Sequence, residues 1–356
     1  MLVPLLIDAL TPLHPVLRRA DLVECSMNAD GCIWIKLQGD GRMHRPHGVP
    51  VLPPQKMIEI TELCAGAAGE KFDEDRILAT GTFDFWIEGM APGVRKFRFQ
   101  AVRSPAVYGG PVAMSLRAFV TGDSQKDFRF DRLRDLGRSL EAEIAENAQT
   151  ILDMALDPEC DFDDVLAALA RERMNLVISG ATDSGKTALT RRYISFIDPD
   201  ERIITIEKGV ELFPTQPNCL MLQSELDPSS QRNPTKLLQA CLRLNPRRII
   251  LGELLGPEAQ TFMEAINSGH EGSMTTIHAS TARMAFEKLS SLIRQSGARI
   301  DHSELLENFR QSIHCVIQVM EDRRSGKRGI AEIWFPALEE NRAEVQSLRD
   351  GLVRLS

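Results

Sequence analysis

The chain has 356 residues, 43% of them hydrophobic, and sets 42 Lys and Arg against 50 Asp and Glu for a net charge of −8. Such a chain buries a sizeable core, has room for two domains, and is neither disordered nor built around a dedicated nucleic-acid surface. No apolar stretch approaches the roughly 20 residues needed to span a bilayer, and the apolar start, Met1 to Ile7, lacks a basic segment and is cut by Pro4 and Asp8, so neither a signal peptide nor a membrane span is expected.

In chain order, residues 1–120 read as an amino-terminal α+β domain with a sheet. Strands are expected at Cys32–Leu37, Phe83–Ile87, Lys96–Ala101 and Met114–Ala118. The third alternates cleanly, with Phe97, Phe99 and Ala101 on one face and Lys96, Arg98 and Gln100 on the other. Between the strands, Pro53–Glu70 carries helical spacing at Met57, Ile60 and Leu63, and Tyr108–Pro111 is a turn. The polar, charged stretch 121–138 reads as an interdomain linker. Residues 139–356 read as a second domain. It opens on Leu140, Ile144, Ala148, Ile151, Leu152 and Ala155 at helical spacing, with a second helix near Val165–Leu169. From Met174 short apolar strands alternate with helices: strand and loop to Gly180, strand Arg202–Glu207, helix Thr235–Leu244, strand Arg248–Glu253, helix Pro257–Ser268, strand Ser273–His278 and helix Ala282–Ser296. That alternation is the pattern of a doubly wound, mainly parallel α/β sheet, whose ligands bind at the carboxyl ends of the strands.

The most informative segment is Gly180-Ala181-Thr182-Asp183-Ser184-Gly185-Lys186-Thr187, followed by Ala188. It follows the apolar run Leu176–Ile178 and opens a helical segment, the context a phosphate-binding P-loop requires. Backbone N–H groups would cradle phosphate oxygens, Lys186 would reach the terminal phosphates of ATP or GTP, and the Thr187 hydroxyl would ligate Mg²⁺. Glu207, Glu253 and His278 each terminate an apolar strand. Glu253 stands where an acid polarises the attacking water or holds Mg²⁺ through solvent, and Glu207 can join the same network. A neutral imidazole at His278 could donate a hydrogen bond near a γ-phosphate. Seven cysteines, an odd number with no Cys-x-x-Cys pair, suit reduced thiols in the cytoplasm better than disulfides or a zinc site.

Together these pieces resemble the ATPases of type II and type IV secretion and type IV pili, and among them the cytoplasmic ring ATPase of type IV secretion systems. Residues 174–290 carry the likeness: the P-loop, the acidic box Ile-Thr-Ile-Glu207, the run Leu242–Leu254 around Glu253, Gly256-Pro-Glu-Ala259, and the His box from Gly269-His270 to His278-Ala279. The resemblance implies a RecA-like P-loop domain over residues 139–356, in which Glu253 is the Walker B glutamate, Glu207 the acidic-box acid and His278 the residue facing nucleotide. It further implies that Arg98 and Arg117 are the first-domain arginines that close over the phosphates, a role guanidinium geometry suits. ATP and Mg²⁺ are the implied cofactors, and the implied assembly is a homo-hexamer working with other secretion-system subunits, peripheral to the inner membrane. A pilus or type II secretion motor, or a degenerate ring subunit that hydrolyses little, are the alternative readings. Three departures from the pattern bear on turnover: Ala181 and Asp183 replace glycines, Lys208 replaces an acid, and Leu255 replaces an arginine.

Overall fold

The structure, a computed structural model, describes residues 2–90, 95–119, 137–322 and 324–341. Residues 121–136 of the expected linker lie outside them. The chain divides into two compact units. The first comprises Met1–Asp131, Pro199–Val210 and Gln216–Arg247, and the second Arg132–Asp198, Glu211–Thr215 and Arg248–Ser356.

The first unit opens with helices α1 (Leu2–Ala9) and α2 (His14–Leu17), then strands β1 (Leu22–Met27) and β2 (Ile33–Leu37). Helix α3 (Pro54–Ala67) follows, then β3 (Leu78–Phe85), β4 (Arg95–Arg103) and β5 (Val112–Ala118). The five strands form an antiparallel sheet in the order β2-β1-β5-β4-β3. Helix α3 lies within the expected Pro53–Glu70, with Pro54 at its first position, where the missing N–H costs nothing. Met57, Ile60 and Cys64 are buried on its inner side. The alternation predicted for β4 holds on its apolar face, where Phe97, Phe99 and Ala101 are buried, but on the other face Lys96 and Arg98 are exposed whereas Gln100 is buried. Phe97 packs on Phe83 and Phe85 with ring centroids 6.0 and 6.2 Å apart. Each such aromatic pair adds about 0.5–1.5 kcal/mol beyond area burial.

Strand β1 escapes the sequence pattern because both its faces are buried. Cys25 and Met27 face the apolar core, whereas Glu24 and Ser26 lie in a polar layer. There Ser26 Oγ and Ser115 Oγ are 3.0 Å apart, and Ser115 Oγ donates to Glu24. Burial pushes the Glu24 carboxyl above its ordinary pKa; that hydrogen bond and the Arg202 charge oppose the rise. Arg202, itself fully buried, donates to Asn28 Oδ1 at 2.7 Å, to Asn218 Oδ1, and through Nε to the Leu244 carbonyl at 3.0 Å.

The other helices and strands, in chain order, are α4 (Leu140–Leu156), α5 (Phe162–Arg171), β6 (Leu176–Gly180), α6 (Lys186–Ile194), β7 (Ile203–Glu207), β8 (Cys219–Gln223), α7 (Pro234–Cys241), β9 (Arg248–Leu251), α8 (Glu258–Ile266), β10 (Met274–Ile277), α9 (Ala282–Gln295), α10 (His302–Ser312), β11 (Cys315–Glu321) and β12 (Arg328–Trp334). The second sheet runs β12-β11-β6-β10-β9-β7-β8. The pairs β11/β6, β6/β10, β10/β9 and β7/β8 are parallel and β11/β12 is antiparallel, as the mainly parallel reading expects. The P-loop strand β6 is buried along its whole length, the mark of a strand with layers on both faces. Side-chain caps fix where its neighbouring helices start: Ser139 accepts from Ala142 N–H, Asp161 from Asp163 N–H and Thr281 from Met284 N–H.

Candidate nucleotide-binding site

The loop after β6 is shaped by two glycines, each needed for a different reason. A methyl group at Gly180 would come 2.5 Å from both Ser184 Oγ and the Val319 carbonyl oxygen, so only glycine fits. Gly185 has φ +100° and caps helix α6, a conformation that side chains avoid. Ala181, one of the departures noted above, has no positive φ and adopts its place without strain. Asp183 has φ +61°, in the left-handed region that Asp tolerates better than most residues. Its side chain is exposed. Lys186 is the first residue of α6, so the helix N-terminus and the loop's N–H groups surround its base.

The Lys186 ammonium donates to the carbonyls of Gly180 at 3.1 Å and Ala181 at 2.8 Å, and lies 3.2 Å from His278 Nδ1. Across the ring, His278 Nε2 is 2.6 Å from Glu253 Oε1. With Nε2–H donating to Glu253, Nδ1 is left to accept from Lys186, and Nδ1 also lies 3.2 Å from the Gly180 carbonyl oxygen. His278 therefore bridges Lys186 and Glu253, residues far apart in sequence. Burial lowers the pKa of Lys186, and the charges of Glu253 and Asp183 oppose that shift.

Backbone ties hold this trio in place. Just beyond β9, Leu254 N–H donates to the Thr276 carbonyl at 2.9 Å, and Thr276 Oγ1 donates to the Gly252 carbonyl at 2.8 Å. Glu253 is thereby clamped beside the end of β10, from which His278 projects. The segment after it is fixed by Glu258, whose Oε1 accepts from the N–H groups of Leu255 at 2.6 Å and Gly256 at 2.7 Å. Thr276 was not singled out in the sequence, because a threonine inside an apolar strand carries no local signal of its cross-strand role.

Glu207, Arg98 and Arg117 stand in the first unit. Glu207 ends β7 and is buried. Arg98 and Arg117 lie directly opposite each other on β4 and β5, both exposed, and Arg98 Cζ sits 5.5 Å from the Phe119 ring centroid. Two guanidinium groups in register make a doubly cationic patch. Among the described residues, no group of three or more His, Cys, Asp or Glu is placed to hold a metal. Thr187 and the Glu253 carboxylate offer hard oxygen donors, which fit a Mg²⁺ that otherwise keeps water and phosphate ligands.

Comparison with known proteins gives a consistent result. The family described as Type II/IV secretion system protein matches residues 138–334, more than half of the chain. The type IV secretion system protein VirB11 of Bartonella quintana is 29% identical over 310 residues, covering 82% of each chain. The VirB11 of Brucella suis is 29% identical over 334 residues, covering 81% of this chain and 89% of that one. Among solved structures, the VirB11 ATPase of the Brucella suis type IV secretion system, crystallised with sulphate, aligns with a TM-score of 0.79 at 26% identity, over 94% of this chain and 95% of that one. On the strength of the matched segment, which contains the whole P-loop, Glu253 and His278 arrangement, the chain belongs to the type II/IV secretion system protein family.

Proposed function

We propose that this protein is the ring-forming ATPase of a type IV secretion system, coupling ATP hydrolysis to assembly of the apparatus or to transfer of its substrate. The observation that carries the reading is the Lys186–His278–Glu253 chain of contacts at an intact P-loop. Lys186 exchanges its two loop carbonyls for oxygens of the terminal phosphates, and the loop N–H groups take the remainder. Glu253 accepts the proton of the attacking water, and His278 orients its carboxylate through Nε2–H. Glu207 extends the acidic network, and Arg98 and Arg117 pair with phosphate charge. Thr187 would hold Mg²⁺, which supplies Lewis-acid neutralisation of the phosphates. The assembly proposed is a homo-hexamer at the cytoplasmic face of the inner membrane, alongside other secretion-system subunits. No helix among the described residues is long and apolar enough to cross a membrane.

The division of labour is testable by phosphate release and nucleotide binding on purified variants. Lys186→Ala abolishes release and weakens binding, whereas Glu253→Gln retains bound ATP and lowers turnover by about a hundredfold or more, the loss typical of removing a general base. Wild-type turnover in Glu253→Gln would reassign the base.

A further inference from the structure

The P-loop leaves β6 between two different flanks. On one side β6 pairs with β10, and the residue after β10 is His278, which touches Lys186 and Glu253. On the other side β6 pairs with β11, and Gly180 lies directly opposite Val319. The first flank thus holds Glu253 and His278, proposed above to act at the terminal phosphate. With the terminal phosphate on that side, the second flank is the side of the loop left to the rest of the nucleotide.

That flank is built by the hairpin of β11 and β12. Arg328, the first residue of β12, pairs in register with Glu321, and its Nε lies 3.3 Å from Glu321 Oε2. The arginine's methylenes cover Gly185: a methyl group built on that glycine would lie 3.6 Å from Arg328 Cδ and 3.8 Å from Val319 Cγ1. Because residues directly opposite or two apart share a face, Val319, Glu321, Arg328 and Ile330 all lie on the face that meets the loop. The result is a small apolar shelf beside the P-loop, edged by a half-exposed guanidinium that a carboxylate orients.

The geometry points to Arg328 as a positioning residue for the nucleoside end of the bound nucleotide, its guanidinium plane stacking on the purine and Glu321 holding it in that attitude. The inference rests on the nucleotide-binding reading above. A planar, delocalised cation over an aromatic face suits this contact, and a lysine ammonium does not replace it. The contact is made equally to ATP and ADP and takes no part in bond breaking, so it contributes uniform binding that sets KM and leaves kcat alone.

Isothermal titration with ATP, ADP and inorganic tripolyphosphate separates this role from its alternatives. In Arg328→Ala, and in Arg328→Lys, ATP and ADP bind about three- to tenfold more weakly, tripolyphosphate binds as to the wild type, and kcat at saturating ATP stays within about twofold. Glu321→Gln gives a smaller loss with the same ligand selectivity. A thermal midpoint for each variant shows whether it is folded. Unchanged ATP affinity in a folded Arg328→Ala protein overturns the inference, as does an equal loss for ATP and tripolyphosphate, which would place the arginine on phosphate. A wild-type protein that binds neither ligand would instead overturn the nucleotide reading itself, and Lys186→Ala, expected to weaken both ligands together, is the separate check on that reading.

Discussion

At the scale of single residues, the P-loop shows which sequence departures matter. Gly180 and Gly185 are fixed by contact and by φ, and both are retained; Ala181 replaces a family glycine where ordinary backbone angles serve. Asp183 is the informative substitution, because its φ of +61° is one that glycine adopts freely. If its carboxylate lay within about 5 Å of a phosphate charge, the repulsion at an effective dielectric near 20 would be on the order of 3 kcal/mol, a loss of about a hundredfold in affinity. The residue is exposed and its charge acts on the Lys186 ammonium, which offsets part of such a penalty. Asp183→Gly therefore changes the apparent KM for ATP by less than about fivefold, or under about 1 kcal/mol. A hundredfold gain in ATP affinity would show that the carboxylate does face phosphate.

At the scale of elements, the ties between neighbouring strands carry a measurable pH signature. At the start of β11, His314 accepts a hydrogen bond from Asn175 N–H through Nδ1 at 3.0 Å, while its own N–H donates to the Asn175 carbonyl at 3.0 Å. Asn175 also donates to the Ser312 carbonyl and accepts from Gly272 N–H, which locks β11 to the start of β6. Burial lowers the His314 pKa to about 4. An unfolded histidine titrates near 6.5, so between these values the unfolded chain takes up a proton that the native protein refuses. This contribution to stability is complete above about pH 6.5 and shrinks as the pH falls, by about 2 kcal/mol at pH 5. Denaturant midpoints at pH 7.5 and pH 5 should thus diverge more for the wild type than for His314→Gln. Equal divergence would remove His314 as the cause.

Sequence patterns revealed elements unevenly at this scale, for physical reasons. Helix α3 and the first half of strand β4 were legible because there one face is buried and the other open, the condition under which periodicity reports structure. Strand β1 was not, since Glu24 and Ser26 are buried in a polar layer and erase the alternation. Strands β11 and β12 also went unread, although Val319 and Arg328 complete one flank of the P-loop.

At the scale of the whole molecule, the proposed homo-hexamer is open to direct measurement. The first unit holds Arg98, Arg117 and Glu207 and the second holds Lys186, Glu253 and His278. A protein of this kind works through interfaces that follow nucleotide state, and ligand binding to the assembled form favours assembly by mass action. Light scattering at micromolar concentration should show a hexamer, more completely populated with Mg-ATP than without nucleotide. A monomer under both conditions would count against the ring.

The sequence by itself determined the P-loop, because its chemistry is local: two glycines, a lysine and a hydroxyl at fixed offsets between a strand and a helix place backbone N–H groups without help from elsewhere. It also marked Glu207, Glu253 and His278 as chemical candidates, since alternating strands and helices put functional residues at strand ends. Only the tertiary structure decided which of them meet. The order β11-β6-β10-β9 sets His278 against both Lys186 and Glu253, and brings Arg328 over Gly185 from far downstream. Which strands become neighbours depends on how buried faces pack across the whole sheet, and no local spacing of residues encodes that choice.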